Sequence, residues 1–251
     1  MPTQQRALPK MKKIWNPIST PDTGINRDAG SANAWLSFGL ALVGGYADAA
    51  SFILAKTFTG HITGSLVLAT ISVAEHDWRA MLAHVSAVLF FLVGIPLSIL
   101  MERALAPRPS WRLLPTILGV EVILIAAAYF ASVSQATRGR ELFVICMSLA
   151  LGLQNGAFRR TGGISVHTTY LTGTVTSLIG AQMDRYGSPP IPQPAATSDA
   201  KVKILCGVWI AFVLGGSAGA VMVLRLGGVG ILGAALLLLA VLFGNSIAHL
   251  R

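Results

Sequence analysis

The chain is poor in charge, and poorer still in acid. Of its 251 residues only 12% are charged, and ten Asp and Glu face nineteen Lys and Arg. A soluble globular domain carries about 25% charged residues, so an ordinary water-facing surface is excluded. Cysteine is almost absent. Cys146 and Cys206 both lie inside apolar runs, which excludes a disulfide framework or a CxxC zinc site and leaves them as small packing residues. There is no GxSxG, HExxH or P-loop motif and no adjacent carboxylate pair. No enzymatic activity, cofactor or metal is therefore expected.

What is present is apolar: 53% of the residues are hydrophobic and the mean hydropathy is +0.66. Six stretches are read as crossing a bilayer, at about 35–54, 81–101, 113–131, 142–158, 204–224 and 229–248. Most are bounded by Arg, Lys, Pro or Trp, the residues of a membrane interface. The net charge of +9 sits in short loops and in a basic, Pro-rich stretch over residues 1–32. No helix presents a basic face, so nucleic acid is not a partner; the bilayer is. No apolar core follows the basic start as in a cleavable signal peptide, and residues 1–32 are expected to form a largely disordered cytoplasmic tail.

Two further stretches, His61–Ala74 and Val166–Met183, are shorter or richer in hydroxyls. The expected architecture is all-α, a polytopic helix bundle with either six full spans plus two re-entrant helices or eight spans. With the N-terminus inside, six spans divide Lys and Arg 14 inside against 5 outside, and eight divide them 12 against 7. The positive-inside rule favours six and places the N-terminus in the cytoplasm.

The chain also repeats itself. Asp48, in Gly44-Gly45-Tyr46-Ala47-Asp48, matches Asn155, in Gly152-Leu153-Gln154-Asn155, at an offset of 107. His61-Ile62-Thr63-Gly64-Ser65 matches Tyr170-Leu171-Thr172-Gly173-Thr174 at 109, and Phe91-Leu92-Val93-Gly94 matches Phe212-Val213-Leu214-Gly215 at 121. The offsets grow only at loops, which points to a duplication with repeats at 33–132 and 133–251. Three crossings per repeat make the halves inverted, as in many secondary transporters, and four make them parallel.

The candidate solute or ion site follows from the repeat: Asp48, His61, Thr63, Gly64, Ser65, Gln154, Asn155, Thr172, Gly173 and Thr174. A carboxylate within a span needs a partner or water. Glycine permits an unwound or closely approached backbone, and flanking hydroxyls satisfy freed peptide groups or coordinate an ion. His61 is a potential proton group. The plainer alternatives are a capping role for Asp48, small-residue packing for the Thr-Gly elements and an interfacial histidine. Glu121, alone in an apolar run, is expected to be buried in the bundle or protonated. Gly215 and Gly219 make a GxxxG step that serves helix packing or contact with a second copy of the chain.

The motifs at 44–52, 58–65, 152–157 and 168–174 together resemble those of the YoaK-like family of bacterial membrane proteins, also called domain of unknown function 1275. The resemblance covers about residues 35–248 and departs at Ser65, where the family usually has Asn. It implies a multi-spanning inner-membrane protein and supplies no activity. The expectation is a small transporter or channel for an unknown solute or ion; the alternative is a non-transporting module that binds lipid or a partner protein.

Overall fold

A computed structural model describes residues 27–105, 110–134, 138–157, 160–161, 164–165, 179 and 196–248. Seven helices account for nearly all of them: α1 (Arg27–Ala55), α2 (Ile62–Ala74), α3 (Trp78–Leu105), α4 (Ser110–Val133), α5 (Gly139–Ala157), α6 (Ala196–Leu226) and α7 (Leu232–Ala248). Each of the six expected spans corresponds to a helix, and His61–Ala74 to the short α2. One departure from all-helix is a two-residue antiparallel pair, β1 (Arg160–Thr161) with β2 (Ile164–Ser165). A different departure from expectation is that α1 begins at Arg27, inside the stretch expected to be tail. Its alanine-rich start, with Ala29, Ala32 and Ala34, favours continuing the helix. The stretch Val166–Met183 lies outside the described residues, Ile179 excepted.

Four stretches of the described residues are long and apolar enough to cross a bilayer: Ala34–Ala55, Trp78–Leu105, Leu114–Val133 and Val202–Asn245. The last, of 44 residues, contains both α6 and α7. It is divided at Gly227, whose φ of +58° ends α6 and opens a 3-10 turn over Gly227–Ile231; such a backbone favours glycine. Tyr46 Oη donates to the Gly230 carbonyl at 2.6 Å, tying that turn to α1.

Burial explains why α5 is less apolar than the others. It packs against α1, α3 and α4, and Val144, Met147, Leu151, Gln154 and Asn155 on it are all buried. A helix surrounded by protein tolerates polar residues that lipid would not. In α1 61% of the apolar window is buried, against 28–33% in the other three, so α1 and α5 form the centre. The outer helices expose apolar side chains such as Leu100, Ile123, Phe130, Leu224 and Phe243, as a lipid-facing surface does.

Packing and hydrogen bonds fix the helix directions. Arg140 at the start of α5 donates from Nε and Nη2 to the Ala55 carbonyl at the end of α1, at 3.1 and 2.7 Å. Gln154 Nε2, near the end of α5, donates to the Leu40 carbonyl at 2.9 Å. The two helices therefore run antiparallel. Elsewhere glycines let backbones touch. Gly94 on α3 lies against Leu149 and Gly152, and Gly156 against Ile95, so α3 and α5 run parallel. Gly215 lies against Leu42 and Gly219 against Tyr46, so α1 and α6 run parallel. Gly39 faces Val241 while Tyr46 faces Gly233, which sets α7 antiparallel to α1.

It follows that α3 is antiparallel to α1 and starts where α1 ends. Thr57, just past α1, shares a 3.1 Å hydrogen bond with His84 Nδ1 near the start of α3. Asp77 starts α3 by accepting the Ala80 N–H at 3.0 Å, an N-cap contact. The chain between α1 and α3 thus leaves and returns at one end of the bundle, with α2 inside that excursion.

Candidate functional site

The excursion is anchored on Asp48. After Ala55, Lys56 turns the chain through a left-handed φ of 53°. Residues 57–61 then run back along α1 to the depth of Asp48, about two turns inside the helix end. Asp48 Oδ1 accepts the Thr59 and Gly60 amides at 2.9 and 2.8 Å. Oδ2 is hydrogen-bonded to His61 Nδ1. Asp48 is 3% exposed. A buried carboxylate needs such donors, and here both oxygens have them.

The surrounding residues build this loop. Phe58 stacks on Phe52 with ring centroids 4.5 Å apart. His61 lies between Phe58 and the edge of Phe212 on α6, at 5.9 and 5.7 Å. Ser65 Oγ donates to the Phe58 carbonyl at 2.6 Å. Gly64 sits under the Phe58 ring, where an added Cβ would come within 3.0 Å of it. Thr63 is exposed. The first Thr-Gly-Ser element thus holds its own loop in shape, with Ser65 and Gly64 turned to Phe58. The hydrogen bond to Asp48 raises the His61 pKa, burial opposes the rise, and the carboxylate charge adds to it.

The structure brings Asp48, His61, Gly64 and Ser65 together and separates them from the second-half residues it describes. Ala55 is level with Arg140 and Leu40 with Gln154, so Asp48 is level with Met147, and Asn155 lies roughly 12 Å further along the axis at 1.5 Å per residue. Asn155 is 6% exposed and its Oδ1 has no hydrogen-bond partner among the described residues. Gln154 is spent on the backbone of α1. Thr172, Gly173 and Thr174 lie outside the described residues. No cluster of three metal-ligating side chains occurs among the described residues.

Other buried polar groups escape a selection made on sequence. His84 pairs with Thr57, and Tyr46 reaches Gly230; neither contact has a signal in the sequence. Glu121 does stand out there, as a lone acid in an apolar run. It is fully buried, and neither carboxyl oxygen has a partner among the described residues.

Residues 36–244 match the model of a family described as protein of unknown function, DUF1275. The chain is 27% identical over 145 residues to the UPF0700 transmembrane protein YoaK of Bacillus subtilis (strain 168). That match covers 56% of this chain and 63% of the relative, so it spans less than two thirds of the relative's length. No solved structure matches the chain. The long apolar helices, their exposed apolar faces and a transmembrane relative agree with the motifs at 44–65 and 152–174: the chain is a membrane protein of the DUF1275 family.

Proposed function

We propose that this protein is a small transporter or channel of the bacterial cytoplasmic membrane, built from two inverted repeats, 33–132 and 133–251, that cross the bilayer six times. The observation that carries the reading is a pair of matching helix interfaces. Leu42 and Gly45 on α1 meet Gly215 and Phe212 on α6, while Leu149 and Gly152 on α5 meet Gly94 and Phe91 on α3. The first members of each pair differ by 107 and the second by 121, the offsets of the sequence repeat. Because α1 and α5 run antiparallel, equivalent halves point in opposite directions. Inverted halves of this kind exchange roles in alternating access, with the solute path between them. The N-terminus is cytoplasmic, since that orientation puts most of the basic loops inside. The reading assigns the protein no covalent chemistry, and its partners are the bilayer and a small hydrophilic solute or ion.

Asp48 has its part through the loop it anchors. Releasing the Thr59 and Gly60 amides would free α2 and open one end of the path. The rival reading, a non-transporting membrane module, draws support from the full local pairing of the Asp48 oxygens. Two measurements test the proposal. Reporter fusions after residues 58, 76, 107 and 136 should read one side for 58, 76 and 136 and the other for 107. Reconstituted vesicles offered a panel of labelled amino acids, sugars, carboxylates and inorganic ions should show saturable uptake of one class, reduced at least tenfold by Asp48→Ala. Fusions at 58 and 76 on opposite sides would remove the inverted topology, and vesicles inert to the whole panel would leave the rival reading.

A further inference from the structure

Glu121 is the acid that the Asp48 loop does not use. Its depth follows from the α4–α5 hairpin. Gly139 at the start of α5 packs against the Ala131 carbonyl and Ser134 at the end of α4, so the two helices run antiparallel. Counting back from that junction sets Glu121 level with residues 149–152. That is the stretch of α5 whose backbone touches Gly94, and it lies near the middle of the bundle. Within about a turn of that level, Ser148 Oγ on α5 is also buried and has no hydrogen-bond partner among the described residues.

Among the described residues, no charge on the elements packed against α4 reaches this depth. On α5, Arg140 and Glu141 stand at the exposed first turn and Arg140 is engaged with Ala55. On α3, His84 is bonded to Thr57 and Glu102 and Arg103 are in the last turns. The 3-10 turn and α7 carry no titratable side chain. Tyr46 on α1 is bonded to Gly230. Tyr46 and Asp48 on α1 lie nearest in depth, Asp48 held by its own loop, and Cys146 on α5 is packed against the apolar core.

A fully buried carboxylate with neither counter-charge nor donor is not sustained in an apolar interior; such a group takes up a proton or a cation. A monovalent metal ion needs several oxygen ligands around it, and the helices supply few: Pro96 in α3 and Pro115 in α4 each free one carbonyl, while the other carbonyls within the helices are spent on their own ladders. A neutral carboxyl needs only one acceptor for its O–H, and Ser148 Oγ at a similar depth is left unbonded among the described residues. We infer that Glu121 is an internal proton-binding site at the middle of the bundle, loaded as the neutral acid in this arrangement and emptied when the helices part and admit water. The inference rests on the transporter reading for its purpose: a proton bound and released at mid-depth is a means of coupling solute movement to the proton gradient.

Infrared spectroscopy of the full chain in lipid vesicles reads the proton directly. At neutral pH the native protein should show the carbonyl stretch of a protonated carboxyl group, slow to shift in heavy water. Glu121→Gln should abolish the band, while Glu102→Gln and Glu141→Gln should keep it. If Glu121→Gln does not reconstitute, Glu121→Asp should displace the band. Absence of the band in the native protein, or its survival in Glu121→Gln, overturns the site, as does a band present only when sodium is withheld. The coupling is read separately. Where the native protein accumulates a solute of the panel under an imposed pH gradient, Glu121→Gln should lower that accumulation at least tenfold, and equal accumulation overturns the coupling. A native protein that moves nothing overturns the transporter reading and leaves the infrared result standing.

Discussion

Replacing Asp48 by Ala removes the acceptor of two backbone amides and of the His61 ring in one step. A buried donor left without a partner costs about 1–3 kcal/mol, so Thr59 and Gly60 together lose about 2–6 kcal/mol if water stays out. The His61 ring is 30% exposed on its side chain and recovers part of its bond from solvent. A net loss of about 3 kcal/mol in the anchoring of the loop is the reasonable centre, and that corresponds to about a hundredfold in an opening equilibrium. Hydrogen exchange in detergent or vesicles reads it: the Thr59 and Gly60 amides should exchange about a hundredfold faster in Asp48→Ala, with the α5 amides near Met147 unaffected. Asp48→Asn keeps an oxygen for the two amides and loses the charge opposite His61, so its effect should be smaller, and pH-dependent. His61 has a raised folded-state pKa, so the stability it contributes is complete below its unfolded value of about 6.5 and fades as pH rises through the folded value. The gap between the native protein and Asp48→Asn should accordingly be widest in mild acid and narrow toward alkaline pH. Exchange at Thr59 and Gly60 in Asp48→Ala within threefold of native would refute the anchoring argument.

Gly45→Ala would drive a methyl into the Phe212 carbonyl and should destabilise the bundle by about 1–3 kcal/mol. Gly119→Ala, with nothing within 4 Å, should instead gain up to about 1 kcal/mol from helix propensity, and thermal melts compare the two. Tyr46→Phe removes the hydroxyl that holds Gly230 and should lower stability by about 1 kcal/mol, seen as faster exchange in the 3-10 turn. Arg140→Ala releases the Ala55 carbonyl and should cost about 1 kcal/mol or less, since Arg140 is exposed and water replaces it. Glu121→Leu should raise the melting temperature, because the buried carboxyl has no described partner and an apolar side chain there is cheaper by about 1–3 kcal/mol.

Much of the helix layout is legible in the order of residues alone, because lipid makes the solvent uniform and hydropathy then reports location. The expected span at 81–101 lies inside Trp78–Leu105, and that at 204–224 inside Ala196–Leu226. The helices overrun the apolar windows because a helix continues through the interface while its side chains become polar there. The division between α6 and α7 is legible for another reason: Arg225 and the glycines from Gly227 onward interrupt a run that hydropathy alone would join. The central place of α5 is not legible, since a low count of apolar residues looks the same for a weak span and for a helix shielded by its neighbours.

The candidate site is half legible, and the missing half has a geometric cause. A repeat identifies equivalent residues, and placing Asp48 and Asn155 in one site requires equivalent residues to be neighbours as well. Between antiparallel helices two equivalent residues are level only at the depth where the helices share a midpoint. With Leu40 level with Gln154 and Ala55 with Arg140, that depth falls near Gly44 on α1 and Leu151 on α5. Asp48 lies about four residues to one side of it and Asn155 about four to the other, which separates them along the axis. Glu121 is closer to the shared level than either. A polar residue without a counterpart in the other half escapes a search built on symmetry, yet it is the one a midplane site can use without doubling its charge.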